Sequence, residues 1–222
     1  DGVNLVLSAH APSAFLMDMN GETLHTWSKP FAEVWTAPRV SEDGKLTFGE
    51  TIAAQPGWEA ARVAKLPASF RETSNPGYKY FRRAYVYPDG DLLAVISYLG
   101  LVKLDRDSNV LWSQSLMAHH DLVVGQDGTI YVLSSEPRES TELGEGGFVL
   151  DDFVAVLDES GTLSRRISVL DGFLISGFAP MVTRPRVTWL VGWRRMLTCY
   201  YSWRRNHERC EKHESRTDDF MS

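Results

Sequence analysis

The stretch SLMAHHDLVVGQDGTIYVLSS, residues 115–135, contains the pattern that decides the fold. Apolar and polar residues alternate on both sides of Asp127 and Gly128, and Asp-Gly between two such runs is typical of a β-hairpin. Three polar, titratable residues, His119, His120 and Asp121, stand directly before the first strand. The stretch therefore predicts a tight hairpin with a cluster of titratable side chains at its entrance.

Two kinds of Asp-centred turn recur along the first 173 residues. The first kind, Asp-x-x-Gly or Asp-x-x-Ser, begins at Asp18, Asp105 and Asp158, and the second kind, Asp-Gly, begins at Asp43, Asp89 and Asp127. The Asp side chain accepts hydrogen bonds from backbone N–H groups two residues on, and Gly supplies the positive φ. Turns of the second kind recur after 46 and then 38 residues. A period of about 40–50 residues with four short strands per unit is typical of a β-propeller blade.

We therefore expect an all-β fold, with residues 1–173 forming an incomplete β-propeller of about three to four blades. A β-sandwich is the alternative, but it does not explain two alternating turn types at this period. Helical periodicity is scarce, and the stretch WEAARVAKLPASF (58–70) predicts one short helix.

Residues 174–222 differ from this body in charge and composition. The body has 14 Lys and Arg against 24 Asp and Glu, whereas the tail has 9 against 5 and contains both cysteines, Cys199 and Cys210. The repeat also stops, although another Asp-Gly hairpin is due near residue 180. We expect a divergent basic tail that is either disordered or translated out of frame. Its cysteines and histidines lack the spacing of a zinc site, so no metal is expected, and its arginines lack an amphipathic period, so no nucleic acid is expected.

Four segments of the body, 8–31, 82–95, 100–136 and 151–173, together resemble the bacterial arylsulfotransferase-like family. The most specific part is the order Leu-Asp-Arg-Asp, Val-Leu-Trp, His-His-Asp and Asp-Gly-Thr-Ile-Tyr-Val-Leu within 100–136. The resemblance implies a six-bladed propeller that transfers a sulfuryl group from an aryl sulfate to a phenol, without a nucleotide donor or other cofactor. It also implies a location in the periplasm or at the outer face of the bacterial inner membrane, with membrane proximity through an anchor that precedes residue 1.

The chain departs from the family pattern after residue 173. Members continue into a segment of the form Asp-x-x-His-x-Asn, and this sequence has no such motif. The histidine that carries the sulfuryl group in the family therefore has no counterpart, and we expect impaired activity. The alternative is a non-catalytic propeller that serves as a scaffold or binding module. Open strand edges of an unclosed propeller also predict homo-oligomers.

Five residues are the candidate site. His120 or His119, with His120 preferred, is expected to act as the base, because histidine titrates nearest neutrality. Adjacent strand residues point to opposite faces, so one imidazole is expected to face the channel and the other to pack between blades. Asp121 is expected to orient the base. Arg82 or Arg83, which the sequence does not distinguish, is expected to bind the sulfate charge. The structural alternative is that the pair caps a strand and that Asp121 satisfies backbone donors.

Overall fold

The computed structural model describes residues 2–36, 45–140, 143 and 147–183. The chain divides into two compact units, Asp1–Ala179 and Pro180–Ser222. All the described strands belong to the first unit. The predicted turn at Asp43 and the tail residues from 184 onward, including Cys199 and Cys210, lie outside the described residues.

The strands form three antiparallel sheets, and in each sheet neighbouring strands follow one another along the chain. The N-terminal sheet contains β1 (Val3–Leu7), β2 (Ser13–Asp18) and β3 (Thr23–Ser28). The middle sheet contains β4 (Arg83–Val86), β5 (Leu92–Ile96), β6 (Gly100–Leu104) and β7 (Val110–Ser115). The C-terminal sheet contains β8 (Ala118–Val124), β9 (Ile130–Glu139), β10 (Phe148–Leu157) and β11 (Leu163–Ser168). The chain is therefore mostly β, as predicted.

Helices are few and short among the described residues. They are α1 (Phe48–Ala53), α2 (Ala60–Val63), α3 (Ala68–Arg71), α4 (Val169–Leu174) and α5 (Ala179–Thr183), with 3₁₀ turns at Phe31–Glu33 and Pro76–Lys79. A capping box begins α1, since Thr47 Oγ1 accepts from the Glu50 amide and the Glu50 carboxylate accepts from the Thr47 amide. The single helix predicted over 58–70 is instead the pair α2 and α3, because Pro67 cannot continue a helix and stands at the N-cap of α3.

The Asp-centred turns form as predicted. In the first kind, Oδ1 of Asp18, Asp105 and Asp158 accepts hydrogen bonds from the amides two and four residues later, at 2.8–2.9 Å. In the second kind, the glycines after Asp89 and Asp127 have φ of 95° and 80°. Each turn joins two consecutive antiparallel strands, so these local bonds set the hairpin positions along the chain.

The core lies between the sheets, which pack face to face in chain order. Alternate residues of β5 point to opposite sides: Leu92 packs with the core shared with the N-terminal sheet, and Leu93 packs with the core shared with the C-terminal sheet. Every residue of β5 and β6 is buried. Burial on both faces explains why β5 reads as the continuous apolar run LLAVI instead of an alternating pattern.

The predicted boundary between residues 173 and 174 falls inside α4. The buried carboxylate of Asp151 on β10 accepts from Ser168 Oγ at 2.8 Å and from the Leu170 amide at 3.2 Å. Arg138 donates to the same carboxylate at 3.1 Å and to Asp171 at 2.7 Å. These bonds hold α4 on the C-terminal sheet, so the first unit continues past the residue at which the repeat pattern ends.

Candidate functional site

The three residues His119, His120 and Asp121 form a bulge in β8. Ala118 pairs with Ser134 and Leu122 pairs with Val132, so three residues of β8 stand opposite one residue of β9. His120 has a φ of 57°, a left-handed conformation that costs a non-glycine residue roughly 1–2 kcal/mol. Bulges change the direction of side chains and are frequent next to active sites. Strained backbone conformations are also concentrated at active sites.

The bulge brings the two imidazole rings together. His119 Nδ1 lies 2.8 Å from His120 Nδ1, and the ring centroids are 4.9 Å apart at 86°. His119 is buried and His120 is exposed. The expectation that the rings point to opposite faces is therefore wrong, because strand alternation does not hold through a bulge with a left-handed residue. The pair forms one hydrogen-bonded unit with a single accessible ring.

Asp152 on β10 is the carboxylate next to this pair. Its Oδ1 lies 3.3 Å from His119 Nε2, although outside good hydrogen-bond alignment, and accepts from Ser135 Oγ at 2.6 Å. Burial acts to raise the pKa of Asp152, but the contacts with His119 and Ser135 outweigh burial and hold the pKa below its ordinary value. Asp152 is therefore ionised at neutral pH and favours a proton on His119 Nε2.

Tyr98 completes the buried side of the cluster. Its ring centroid lies 5.3 Å from that of His119, and its amide donates to the Ala118 carbonyl at 2.6 Å. Burial, followed by the charge of Asp152, raises the pKa of Tyr98, so the phenol keeps its proton. Tyr98 has a φ of 61°, and of the three left-handed non-glycine residues that the described ranges contain, only Ser108 lies away from this cluster, in a turn. Both of the other left-handed residues, Tyr98 and His120, thus have rings in contact with His119.

The structure distinguishes between the two candidate arginines. Arg83 Nε pairs with Asp121 Oδ1 at 2.8 Å, and the same oxygen accepts from the Leu122 amide at 2.9 Å. The hydrogen bonds of Asp121 therefore go to Arg83 and the Leu122 amide, and the carboxylate that lies next to His119 is Asp152. Arg82 lies close enough to His120 for its charge to affect the titration of that ring.

The pKa of His120 lies below its ordinary value. Partial burial of the ring is the largest cause, the electrostatic interactions with His119 and then Arg82 add to it, and Asp152 acts in the opposite direction. His120 is therefore neutral at pH 7. Asp152 favours the His119 tautomer with its proton on Nε2; in that tautomer His119 Nδ1 accepts from His120 Nδ1–H, and the lone pair of His120 is on Nε2. The arrangement leaves one neutral base on the accessible ring, on which the charge of Arg82 acts.

A shallow cleft adjoins the cluster through Ser135, which lines the cleft and also bonds Asp152. Its other walls include Trp58, Met117 and Glu136. The Trp58 indole N–H donates to Glu136 Oε1 at 3.3 Å, and the Arg62 guanidinium lies 3.8 Å over the Trp58 ring. The cleft therefore combines an aromatic and thioether wall with a polar edge.

Sequence reasoning found the histidines and the arginines but missed Asp152, Ser135 and Tyr98. The one local signal for Asp152 is the pair of carboxylates, Asp151 and Asp152, inside an otherwise apolar strand. Among the described residues, no group of His, Cys, Asp and Glu side chains could hold a metal ion.

A comparison of the chain with protein-family models gives no match, and neither does a search of curated proteins. The arylsulfotransferase resemblance therefore stays a prediction. Among the helices of the described ranges, none has the length and apolar character needed to cross a membrane.

Proposed function

We propose that this chain is an arylsulfotransferase-like protein that transfers a sulfuryl group from an aryl sulfate to a phenol. The observation that carries the proposal is the bulge at His120: a strained imidazole contacts His119, whose Nε2 lies 3.3 Å from Asp152 Oδ1, and the charge of Arg82 acts on the same ring. Such a chain of groups supplies a base and a cation at one place, which are the two requirements of transfer from a sulfate monoester.

Each group has a role in the transfer. Arg82 binds the sulfonate oxygens of the donor, whose aryl group lies at the surface next to the accessible ring of His120. The acceptor phenol oxygen forms a bond to sulfur while the bond from sulfur to the donor oxygen breaks, and the donor leaves as a phenolate. His120 Nε2 takes the proton of the acceptor and returns it to the departing phenolate. Asp152 and His119 stabilise the imidazolium that forms in between.

We propose further that the three sheets are blades of an incomplete propeller. Two observations support this: each four-stranded sheet runs in chain order from a first edge strand, and the first strands β4 and β8 pack against each other. Arg82 and Arg83 stand at the start of β4, and the histidine bulge lies in β8. First strands line the central channel of a propeller, where the resemblance expects the site. The periplasm, or the outer face of the inner membrane, is the location that accompanies this proposal.

The decisive experiment is turnover of 4-methylumbelliferyl sulfate with and without added phenol. We expect release of the fluorescent phenol that depends on the acceptor. His120→Asn should lower the acceptor-dependent rate by roughly 10²–10⁴-fold, as for loss of a general base. Arg82→Gln should raise KM for the sulfate. The matched control is Arg83→Gln, the neighbouring arginine, which pairs with Asp121 and should leave turnover unchanged.

The alternative function is a binding module, and the exposure of His120 and the shallow cleft favour it. Arg82 and a neutral imidazole would retain an aryl sulfate without chemistry. No acceptor-dependent turnover, or turnover that persists in His120→Asn, would overturn the transferase proposal. Titration of the same sulfate by calorimetry then tests the module, for which Arg82→Gln should abolish binding and Arg83→Gln should not.

A further inference from the structure

In each of the three sheets the strands pair in the same register relative to the first-kind turn. A position in one sheet therefore has an equivalent position in each of the others. Leu5, Leu93 and Tyr131 each pair with the residue two places before the Asp of a first-kind turn. By the same rule Val6, Ala94 and Val132 each pair with the residue three places before that Asp. Positions of the first set face the following sheet, and positions of the second set face the preceding sheet.

The exposure of these equivalent positions depends on whether another sheet covers the face on which they lie. Leu93 and Ala94 in the middle sheet are both 0% exposed, because sheets cover both of its faces. Val6 belongs to the first of the three sheets in the described ranges, and it is 42% exposed. Tyr131 belongs to the last of the three sheets in the described ranges, and it is 40% exposed. Each end therefore leaves open a face whose equivalent is buried elsewhere in the molecule.

The two open faces are apolar and of opposite type. The leading face, on the N-terminal sheet, is formed by Val6, Phe15 and Met17. The trailing face, on the C-terminal sheet, is formed by Val123, Tyr131 and Val154. Inside the chain, a trailing-type face packs on a leading-type face twice, once at each contact between sheets. The chain thus carries both halves of a contact that it already makes.

We propose that the leading face of one copy of this chain packs on the trailing face of a second copy. A head-to-tail contact of this kind closes into a ring or continues as a filament, depending on the rotation between copies. It also covers the apolar faces that would otherwise remain in water. The proposal rests on the register and the burial of the sheets and is independent of the transferase chemistry.

Charged residues next to the two open faces support the same pairing. Trp112 packs over Gly161 in the first-kind turn of the following sheet. Arg165 is the equivalent of Trp112 in the C-terminal sheet, because each of them pairs with the residue two places before the Asp of its own first-kind turn. In the proposed contact, exposed Arg165 meets the first-kind turn of the second copy, where Glu22 is exposed. The two side chains have opposite charge, which favours this partner over a face-to-face pair of identical surfaces.

Sedimentation velocity on the full chain tests the proposal with three variants. Val6→Glu blocks the leading face and Tyr131→Glu blocks the trailing face. Leu111→Glu is the matched control, since Leu111 is 51% exposed on the outer strand of the middle sheet and belongs to neither face. We expect the wild type and the control to associate above the 25.0 kDa chain mass as concentration rises. Each face variant alone should stay a monomer.

Mixing the two face variants in equal amounts gives the sharpest readout. The Val6→Glu variant keeps its trailing face, and the Tyr131→Glu variant keeps its leading face. The mixture should therefore form a complex of twice the chain mass and nothing larger. Recovery of association in the mixture also proves that both variants are folded. A wild type that stays monomeric, a face variant that self-associates like the wild type, or a mixture that stays monomeric would each overturn the proposal.

Discussion

Adding one methyl group at Gly161 tests the packing between the middle and C-terminal sheets. A Cβ on Gly161 would lie 2.6–2.8 Å from ring atoms of Trp112. Gly21 occupies the equivalent position in the first-kind turn of the N-terminal sheet, with a φ of 85° against 82° for Gly161, and a Cβ there meets nothing within 4 Å. The chain therefore contains its own control for the backbone part of the effect.

The expected magnitudes follow from two separate contributions. An alanine in the left-handed region costs roughly 1–2 kcal/mol, and the lower entropy of the unfolded alanine chain offsets about 0.4–1 kcal/mol of this. Gly21→Ala should therefore lower the free energy of unfolding by about 1 kcal/mol. Gly161→Ala adds overpacking against Trp112, which typically costs about 1–3 kcal/mol. The second variant should thus be less stable than the first by about 1–3 kcal/mol.

Urea unfolding of both variants, followed by far-ultraviolet circular dichroism, measures the difference. Combining Gly161→Ala with Trp112→Ala removes the ring that the methyl group meets, so the glycine substitution should then cost no more than Gly21→Ala. Equal losses of stability for the two single glycine variants would refute the proposed contact between these sheets. An unchanged cost in the Trp112→Ala background would refute it as well.

Two further predictions concern titration and a buried charge. Because the pKa of His120 is lowered in the folded chain, the unfolded chain binds more protons than the folded chain at pH values between the lowered pKa and the ordinary pKa of about 6.5. The resulting stability is fully present above that pH and is lost as pH falls through the folded pKa, so His120→Asn should flatten the free energy of unfolding between pH 7 and 5. An unchanged slope in that window would contradict the environment described for this ring. Asp151→Ala removes the buried carboxylate that accepts from Ser168 Oγ and the Leu170 amide, while Arg138 keeps its pair with Asp171, and should lower the free energy of unfolding by about 1–3 kcal/mol. Chemical denaturation measures this loss, and a loss below about 1 kcal/mol, typical of a surface pair, would contradict it.

Sequence reasoning succeeded where the determining contacts are local. Asp105 bonds amides two and four residues later, so the residues that make the turn are contiguous and their pattern can be recognised. The same holds for the strands on either side of Asp127 and Gly128 and for the mostly β character of the chain. The recurrence of these turns follows from the sequence alone, whereas the propeller remains a proposal because it depends on how the sheets are arranged.

The site depended on contacts between distant residues. His119 and Asp152 are 33 positions apart, and they meet because β8, β9 and β10 pair in one register with a bulge at the histidines. A bulge adds residues without changing the hydrophobic pattern on either side, so its left-handed His120 was not visible in the sequence. The same geometry paired Asp121 with Arg83 and left Arg82 as the arginine whose charge acts on His120.

By itself, the sequence determined the Asp-centred turns, the antiparallel hairpins they connect, and the presence of two histidines at the entrance of one hairpin. Only the tertiary structure decided which carboxylate approaches the histidines, which arginine remains near them, and which faces of the sheets stay open. The physical reason is the range of the interactions. Turn bonds join residues within four positions of one another, while the site and the faces arise from the register and stacking of strands that are far apart in the chain.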